Sequence, residues 1–380
     1  MGKRELVLVA VFLVMGIVVY QVTAPPAAPG SSGVSFGGIV QKLKREVQGS
    51  REQATSTSRQ TKVVDPGVRL VRLNIPRNNT LAITGSDRTD ITVEMEVTGR
   101  GFDQAEAKAA ASAAGVKLEQ AGDAIAVTTV FPARESNRGG FVSDATVTVL
   151  LPKRLLVRLE PHAGRLTVSD VAGVEVMGSR GETRVTRSAG HVIVNHTGGR
   201  LEIDAVPSLK LTTRNSNAKI RGVAGLFTIE ATGVEMELEE IAGPLEIEAR
   251  NTDLVIDAGK LVKAPFRFNG TGGQLRVSKL RTESRVDGRN VELEVEVAAA
   301  APITIYSTGE DIRVMAPPGG YTLDAVATDG QITSEDSAIT ATPGDGPEAR
   351  ATATIRGGGP ALTLRTTRGR IDVRKGGAGK

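Results

Sequence analysis

Histidine is the residue type that most often combines acid–base chemistry with metal binding, and this chain has 3: His162, His191 and His196. His191 and His196 are an odd number of positions apart in a segment of extended pattern. Their side chains therefore point to opposite faces of a strand. We do not expect the two to hold one metal ion together, and we expect all three histidines at the surface.

Other catalytic patterns occur only as fragments. Ser216-Asn-Ala-Lys219 has the Ser-x-x-Lys spacing of penicillin-recognising enzymes, but it lies in a strand-like repeat and its partner motifs do not occur. Gly259-Lys260 lacks the upstream glycine of a phosphate-binding loop. No Gly-x-Ser-x-Gly or His-Glu-x-x-His motif is present. The sequence therefore assigns no catalytic residue, no cofactor-binding residue and no metal ligand, and it predicts no cofactor.

Carboxylates alternate along three segments, so each set lies on one face of a strand. These sets are Glu235, Glu237 and Glu239; Glu246 and Glu248; and Glu292, Glu294 and Glu296. We expect an outward charged surface that also discourages edge-to-edge pairing of sheets. A surface for a divalent cation or a basic partner is the alternative. Arg180, Arg184 and Arg187 are expected to form surface ion pairs with such ladders, or else to contact anionic envelope polymers.

The composition restricts the class of protein. Aromatic residues make up 3% of the chain, with no Trp and 3 Tyr, so Val, Ile, Leu and Ala must fill thin interior layers. Polysaccharide-cleaving β-helix enzymes grip sugar rings with Trp and Tyr, which makes a carbohydrate-active enzyme the alternative here and not the leading hypothesis. The net charge is +4 with both signs interspersed, which argues against nucleic-acid binding. Zero Cys excludes disulfides.

The N-terminus predicts a membrane anchor. Residues 6–22 form an uncharged run of 17 residues, and a helix of that length spans about 26 Å of a ~30 Å hydrocarbon layer. Lys3 and Arg4 should keep residues 1–5 cytoplasmic, which places the rest of the chain in the periplasm or at the cell surface. A cleaved signal peptide is the alternative, but Pro25 and Pro29 follow the candidate cleavage sites.

Residues 23–61 are predicted to be a linker, rich in Pro, Gly and Ser at first and charged later. Within it, Ile39, Leu43 and Val47 have the spacing of a short amphipathic helix. Residues 62–155 are predicted to be a strand–helix–strand part, with strands at 68–75, 91–97 and 145–150 and an Ala-rich helix over 102–114.

Residues 156–375 carry a repeated Gly-x-apolar-x-apolar unit about nine residues long, as in the segments that begin at Gly164, Gly173, Gly181, Gly190 and Gly199. Such self-similarity is typical of a repeat architecture. One strand per unit predicts an antiparallel sandwich, and two units per turn predict a β-solenoid resembling a parallel β-helix. The links between units lack hairpin turn signals, which favours the solenoid. Residues 334–356 interrupt the pattern and are predicted to be a surface loop or insertion.

These repeats, the strand–helix part and the ending Leu362-Thr-Leu-Arg-Thr-Thr-Arg-Gly-Arg-Ile-Asp-Val-Arg374 resemble the bacterial putative-adhesin family, also called the toastrack domain, over about residues 65–375. The resemblance implies a β-repeat domain at the cell envelope, often beside a membrane anchor. It brings no catalytic residues with it. The chain departs from the family in carrying many Arg residues at turns.

The sequence therefore predicts a mainly β protein, with one transmembrane helix, a small α+β part and a β-solenoid repeat array. The expected role is that of a non-enzymatic binding, adhesion or scaffold module at the cell envelope. Its expected partners are the membrane, through residues 6–22, and an unidentified envelope protein or polymer. Polymerisation through stacked repeat ends is a further hypothesis.

Overall fold

The computed structural model describes residues 52–75, 79–132, 140–344 and 346–376. All of these belong to the unit Glu52–Lys380. The predicted cytoplasmic residues 1–5, the anchor at 6–22 and the linker up to residue 51 lie outside the described residues. Within the described ranges, no helix combines the length and the apolar character that a membrane span requires.

The described residues are mainly β, as predicted, with a single helix α1 (Gln104–Ser112). The strands before the repeats are β1 (Glu52–Val63), β2 (Leu70–Asn74), β3 (Asn79–Ser86), β4 (Asp90–Gly101), β5 (Gly115–Ala121), β6 (Ala124–Val130), β7 (Phe141–Pro152) and β8 (Leu156–Leu159). The next strands are β9 (His162–Ser169), β10 (Gly173–Thr186), β11 (Val192–Val206), β12 (Leu209–Val223), β13 (Phe227–Thr232), β14 (Glu235–Glu239), β15 (Leu245–Asp257), β16 (Phe266–Leu280) and β17 (Ser284–Val297). The last are β18 (Ile303–Thr308), β19 (Ile312–Met315), β20 (Tyr321–Thr328), β21 (Gln331–Ser334), β22 (Thr342–Pro343), β23 (Glu348–Ile355), β24 (Ala361–Thr367) and β25 (Arg370–Arg374).

The first strand corrects the predicted linker boundary. Residues 52–61 lie in β1, which pairs antiparallel with β4 along its whole length. Ala54, Ser56 and Ser58 are half-buried, while the residues between them are exposed. An edge strand of this kind needs no apolar face, so Ser and Thr suffice where the sequence suggested a flexible segment.

Helix α1 lies against the end of β4. Asp103 caps it by accepting a hydrogen bond of 2.8 Å from the backbone N–H of Glu106. A β-carbon on Gly99 would lie 2.3 Å from the carbonyl oxygen of Ala107. The close approach therefore depends on glycine in β4. The helix predicted over 102–114 is confirmed and is shorter by two residues at each end.

From β8 onward the chain alternates between two parallel ladders of strands. Ladder A runs through β8, the first halves of β10, β11 and β12, then β13, the first halves of β15, β16 and β17, and β18. Ladder B runs through β9, the second halves of the same long strands, β14 and β19. Each repeat adds one strand segment to each ladder.

The register of these ladders decides between the two predicted pairings of neighbouring units. Val192 pairs in parallel with Leu209, and Leu201 of the same strand pairs with Ala218. The antiparallel hairpin pair Val192–Leu201, which the sandwich alternative requires, is not formed. Ladder A continues toward the N-terminus through β2 and β6, and ladder B through β3 and β7. Hydrogen bonding therefore crosses the boundary expected at residue 155.

Alternate residues of both ladders enter one hydrophobic core. The side chains predicted to point inward are buried: Leu166, Val168, Val192, Val194, Leu201, Ile203, Leu245 and Ile247. Small branched side chains fill most of this core, and Phe227, Phe266 and Phe268 are its buried phenylalanines within the described ranges. The outward residues form two surfaces, named here face A and face B after their ladders.

The C-terminal repeats are not in chain order. Strand β24 lies between β18 and β20, and β25 lies between β19 and β21. The last repeat therefore inserts between two earlier ones. Strand β23 pairs antiparallel with β20. The segment 334–356, predicted to be a loop or insertion, thus contains the strand that covers the outer edge of β20.

Candidate functional site: the outward faces and the polar corner

Two of the three histidines are buried, which corrects the expectation of surface positions. His162 is 4% exposed and His196 is 2% exposed. Both are Cα partners of the buried Ser179 on adjacent strands. These three residues lie in one inner column of side chains, at the corner where the chain passes from ladder A to ladder B. Nδ1 of His196 lies 2.8 Å from Oγ of Ser179. His191 is exposed and lies 2.7 Å from Oγ of Ser208. As predicted, His191 and His196 point to opposite faces.

Burial lowers the pKa of the His162 and His196 imidazoles, because the charged ring loses its hydration. Three ring nitrogens make no hydrogen bond of ordinary geometry with a described residue: Nδ1 and Nε2 of His162, and Nε2 of His196. Backbone groups near His162 favour its charged form, but burial outweighs them. The two rings are therefore neutral groups of the interior at pH 7.

The Ser-x-x-Lys fragment does not form a site. Ser216 points inward, where its Oγ lies 2.6 Å from Oγ1 of Thr213. Lys219 points outward, and its Nζ lies 3.0 Å from Oε2 of Glu237. The odd spacing of the two residues on one strand explains the separation. Gly259 lies in a turn in which its N–H donates to Oδ1 of Asp257, 2.9 Å away.

Face B is a lattice of ion pairs between neighbouring repeats. The pairs are Arg165–Glu182 at 2.9 Å, Arg184–Glu202 at 3.5 Å, Lys219–Glu237 at 3.0 Å and Arg276–Glu294 at 3.2 Å, and Arg313 pairs with Glu292. The Lys219 ammonium lowers the pKa of the Glu237 carboxyl by hydrogen bonding. The outward charged surface predicted from the glutamate ladders is confirmed. Each of these exposed pairs adds little stability.

The arginines singled out from the sequence also lie at the surface. Arg184 pairs with Glu202, and Arg187 pairs with Asp170 at 2.7 Å. Neither pairs with the glutamate ladders that were expected to receive them. Arg180 is exposed and has no ion pair with another described residue. The guanidinium of Arg187 lowers the pKa of Asp170.

Face A carries a groove of about 440 Å³ with a different charge arrangement. Its lining includes Arg214, Glu230, Glu248, Arg250 and Asn269. Glu230 and Glu248 are direct neighbours in ladder A. None of these four charged side chains forms an ion pair with a described residue, although all are exposed. The groove therefore offers two carboxylates and two guanidinium groups to a second molecule.

Arg214 and Arg250 were not among the residues predicted from the sequence to carry a function. A sequence signal for them exists: at the same position of successive repeats, the dipeptide Arg-Asn alternates with Thr-Gly. Within the described ranges, no group of three or more His, Asp or Glu side chains has an arrangement that fits a metal ion.

Three solved structures are similar to this chain. One is a putative cell adhesion protein from Clostridium sporogenes, with 10% identity, a TM-score of 0.19, and coverage of 84% of this chain and 100% of that chain. The second is a putative lipid binding protein from Parabacteroides distasonis, with 7% identity, a TM-score of 0.33, and coverage of 83% and 96%. The third is a putative adhesin from Parabacteroides merdae, with 10% identity, a TM-score of 0.24, and coverage of 84% and 95%.

Two of these three proteins are named for adhesion, as is the family that the sequence motifs resemble. No protein-family model matches the chain, and no curated protein matches it. TM-scores below 0.5 at such identities carry no inference about function. The side chains of this chain alone therefore carry the information about its function.

Proposed function

We propose that this chain is a non-catalytic binding module of the cell envelope. Residues 6–22 anchor it in the membrane, and the repeats lie outside the cytoplasm. The observation that carries the proposal is the face A groove, in which the exposed side chains of Arg214, Glu230, Glu248 and Arg250 form no ion pair with a described residue. Many charges of face B, in contrast, pair with one another. Charges without an internal partner remain available to a second molecule.

We infer that ladders A and B are the two sides of a β-solenoid. In-register parallel pairing in both ladders supports this, since each repeat then adds one segment to each side. A single hydrophobic core shared by the inward residues of both ladders supports it as well. Such an array holds outward side chains in fixed columns, which suits the recognition of an extended partner.

A carbohydrate-active enzyme is the second candidate function, and one observation favours it. Glu230 and Glu248 occupy paired positions on adjacent strands in the groove, and retaining glycosidases place two carboxyl groups about 5–5.5 Å apart. Both side chains are exposed, however, and a general acid of this class needs surroundings that keep it protonated near neutral pH. Binding therefore remains the better-supported function.

Photo-crosslinking in native membranes tests the binding function. A photo-reactive amino acid replaces Asn269 in the face A groove, and Val255 on face B serves as the matched control. We expect the groove position to crosslink the full-length chain to an envelope polymer or protein, with much weaker crosslinking from position 255. Equal crosslinking from the two positions, or none from position 269, contradicts the proposal.

Two further measurements address location and chemistry. Because the chain has no cysteine, a Thr304→Cys variant reports its location through a membrane-impermeant maleimide. We expect labelling in intact spheroplasts, and labelling that needs lysis contradicts the extracytoplasmic placement. Release of new reducing ends from a polysaccharide by the wild type, but not by E230Q or E248Q, would establish the enzyme in place of the binding module.

A further inference from the structure

A column of arginine and threonine side chains runs along one edge of face A. Cα pairing joins Thr197, Arg214, Thr232, Arg250, Thr271, Arg289, Thr308 and Thr367 in successive strands. Arginine occupies every second repeat from Arg214 to Arg289. Neighbouring strands lie about 4.8 Å apart, so successive arginines are about 9–10 Å apart at the backbone. These eight residues are called the arginine–threonine column below.

The backbone beside the column fixes the direction of these side chains. Each arginine precedes an asparagine with positive φ: Asn215 at 50°, Asn251 at 48° and Asn290 at 52°. The threonines at 197, 232, 271 and 308 precede glycines, whose φ angles are also positive. The arginines therefore leave the backbone at the same local conformation in every second repeat. The shorter threonines of the intervening repeats leave space between them.

The three arginines of the column are exposed, and none forms an ion pair with a described residue. Three arginines of face B differ, since Arg165, Arg184 and Arg276 each have a carboxylate within 3.5 Å. A free guanidinium has a planar set of donors that fits a carboxylate through two parallel hydrogen bonds. The column is therefore a row of evenly spaced receptors for anionic groups.

The groove beside the column supplies the second half of the site. Glu230 and Glu248 accept hydrogen bonds, and Asn269 and Thr212 both donate and accept them. The hydroxyl groups of a sugar match this set. A polymer with a dense run of phosphates does not match it, because the two carboxylates would repel such a chain.

We propose that the arginine–threonine column and its groove bind an acidic polysaccharide that lies along the repeats. The carboxylates of the polymer bind Arg214, Arg250 and Arg289 at intervals of two repeats. The hydroxyls of the intervening sugars bind Glu230, Glu248 and their polar neighbours. This ligand class deepens the proposed binding function and rests on it.

Affinity measurements with the full-length chain in nanodiscs test the inference. The probe is hyaluronan, which has one carboxylate per disaccharide, and neutral dextran and inorganic polyphosphate are the comparison polymers. We expect salt-dependent binding of hyaluronan that exceeds the binding of both others. The triple variant R214A/R250A/R289A should lose at least about tenfold in affinity, the value of one charge-assisted hydrogen bond.

The matched control is R165A/R184A/R276A, which removes the same number of charges from face B. It should bind hyaluronan within about twofold of the wild type, because those arginines are already engaged. The inference is overturned if the two triple variants lose the same affinity for hyaluronan. It is also overturned if the wild type binds dextran as tightly as hyaluronan, or polyphosphate more tightly. A wild type that does not bind hyaluronan overturns it too, whereas the binding function itself is judged by the crosslinks from position 269.

Discussion

The side-chain Oδ1 of Asn215 lies 2.8 Å from the point that a β-carbon on Gly233 would occupy. Both residues have positive φ, 50° for Asn215 and 64° for Gly233. The same relationship joins Asn251 to Gly272, where the distance is 2.5 Å. Asparagine tolerates this backbone conformation and glycine provides the space, so the asparagine of one repeat packs over the glycine of the next.

Gly233→Ala should destabilise the protein by about 1–3 kcal/mol, because alanine is strained at positive φ and its methyl group meets the Asn215 amide. The free energy of unfolding by urea measures the loss. Gly67→Ala is the matched control, because a β-carbon there meets no atom within 4 Å and φ is not positive. In an Asn215→Gly background the loss at Gly233 should shrink. An equal loss in both backgrounds would show that the amide plays no part.

The buried imidazoles of His162 and His196 should make stability depend on pH. Burial lowers their pKa below the usual 6.5, so the unfolded chain binds protons first as the pH falls. We expect the free energy of unfolding to be constant above pH ~7 and to decrease as the pH falls below about 6.5. Carboxylates such as Glu237, whose pKa is lowered from 4.5, contribute only at lower pH.

His162→Leu combined with His196→Leu should flatten that dependence, since no imidazole then gains a proton on unfolding. His191→Gln is the control, because His191 lies exposed outside the core. Urea titrations at several pH values between 5 and 7.5 provide the comparison. A slope that survives in the double variant would assign the effect to other groups and would contradict the burial of the two rings.

Leu211 and Val255 test the alternation of inward and outward residues. Leu211 is 0% exposed in ladder A, and Val255 is 52% exposed on face B. Leu211→Ala should cost about 2–5 kcal/mol of unfolding free energy, through lost burial and the cavity left behind. Val255→Ala should change stability by about 0.5 kcal/mol or less. Similar losses at the two positions would mean that the register is shifted by one residue.

The sequence predicted the strands of the repeats well because their signal is local. Alternate apolar residues such as Leu201 and Ile203 point inward whatever their neighbours are. Strand β1 was missed because an edge strand requires no apolar pattern. The insertion of β24 between β18 and β20 was beyond reach of the sequence, since strands of the same pattern fit either position.

The candidate site was less accessible to sequence reasoning. The type of residue suggested that His196 lies at the surface, but its place in the inner column beside Ser179 and Thr213 buries it. Arg184 and Arg250 look alike in sequence, because both follow a strand-like segment of polar and apolar residues. Only the register shows that Arg184 has a carboxylate across the ladder at 3.5 Å and that Arg250 stands between two threonines.

Engineered disulfides measure the parallel register of the repeats directly. Lys210 and Thr228 are Cα partners on adjacent strands of ladder A, and β-carbons of such neighbours are close enough for a disulfide. Lys210 and Lys219 lie on different faces, A and B. In the cysteine-free chain, Lys210→Cys with Thr228→Cys should oxidise readily to a crosslinked product, and Lys210→Cys with Lys219→Cys should not. Crosslinking of the second pair in preference to the first would show hairpins between consecutive units and would contradict the parallel ladders.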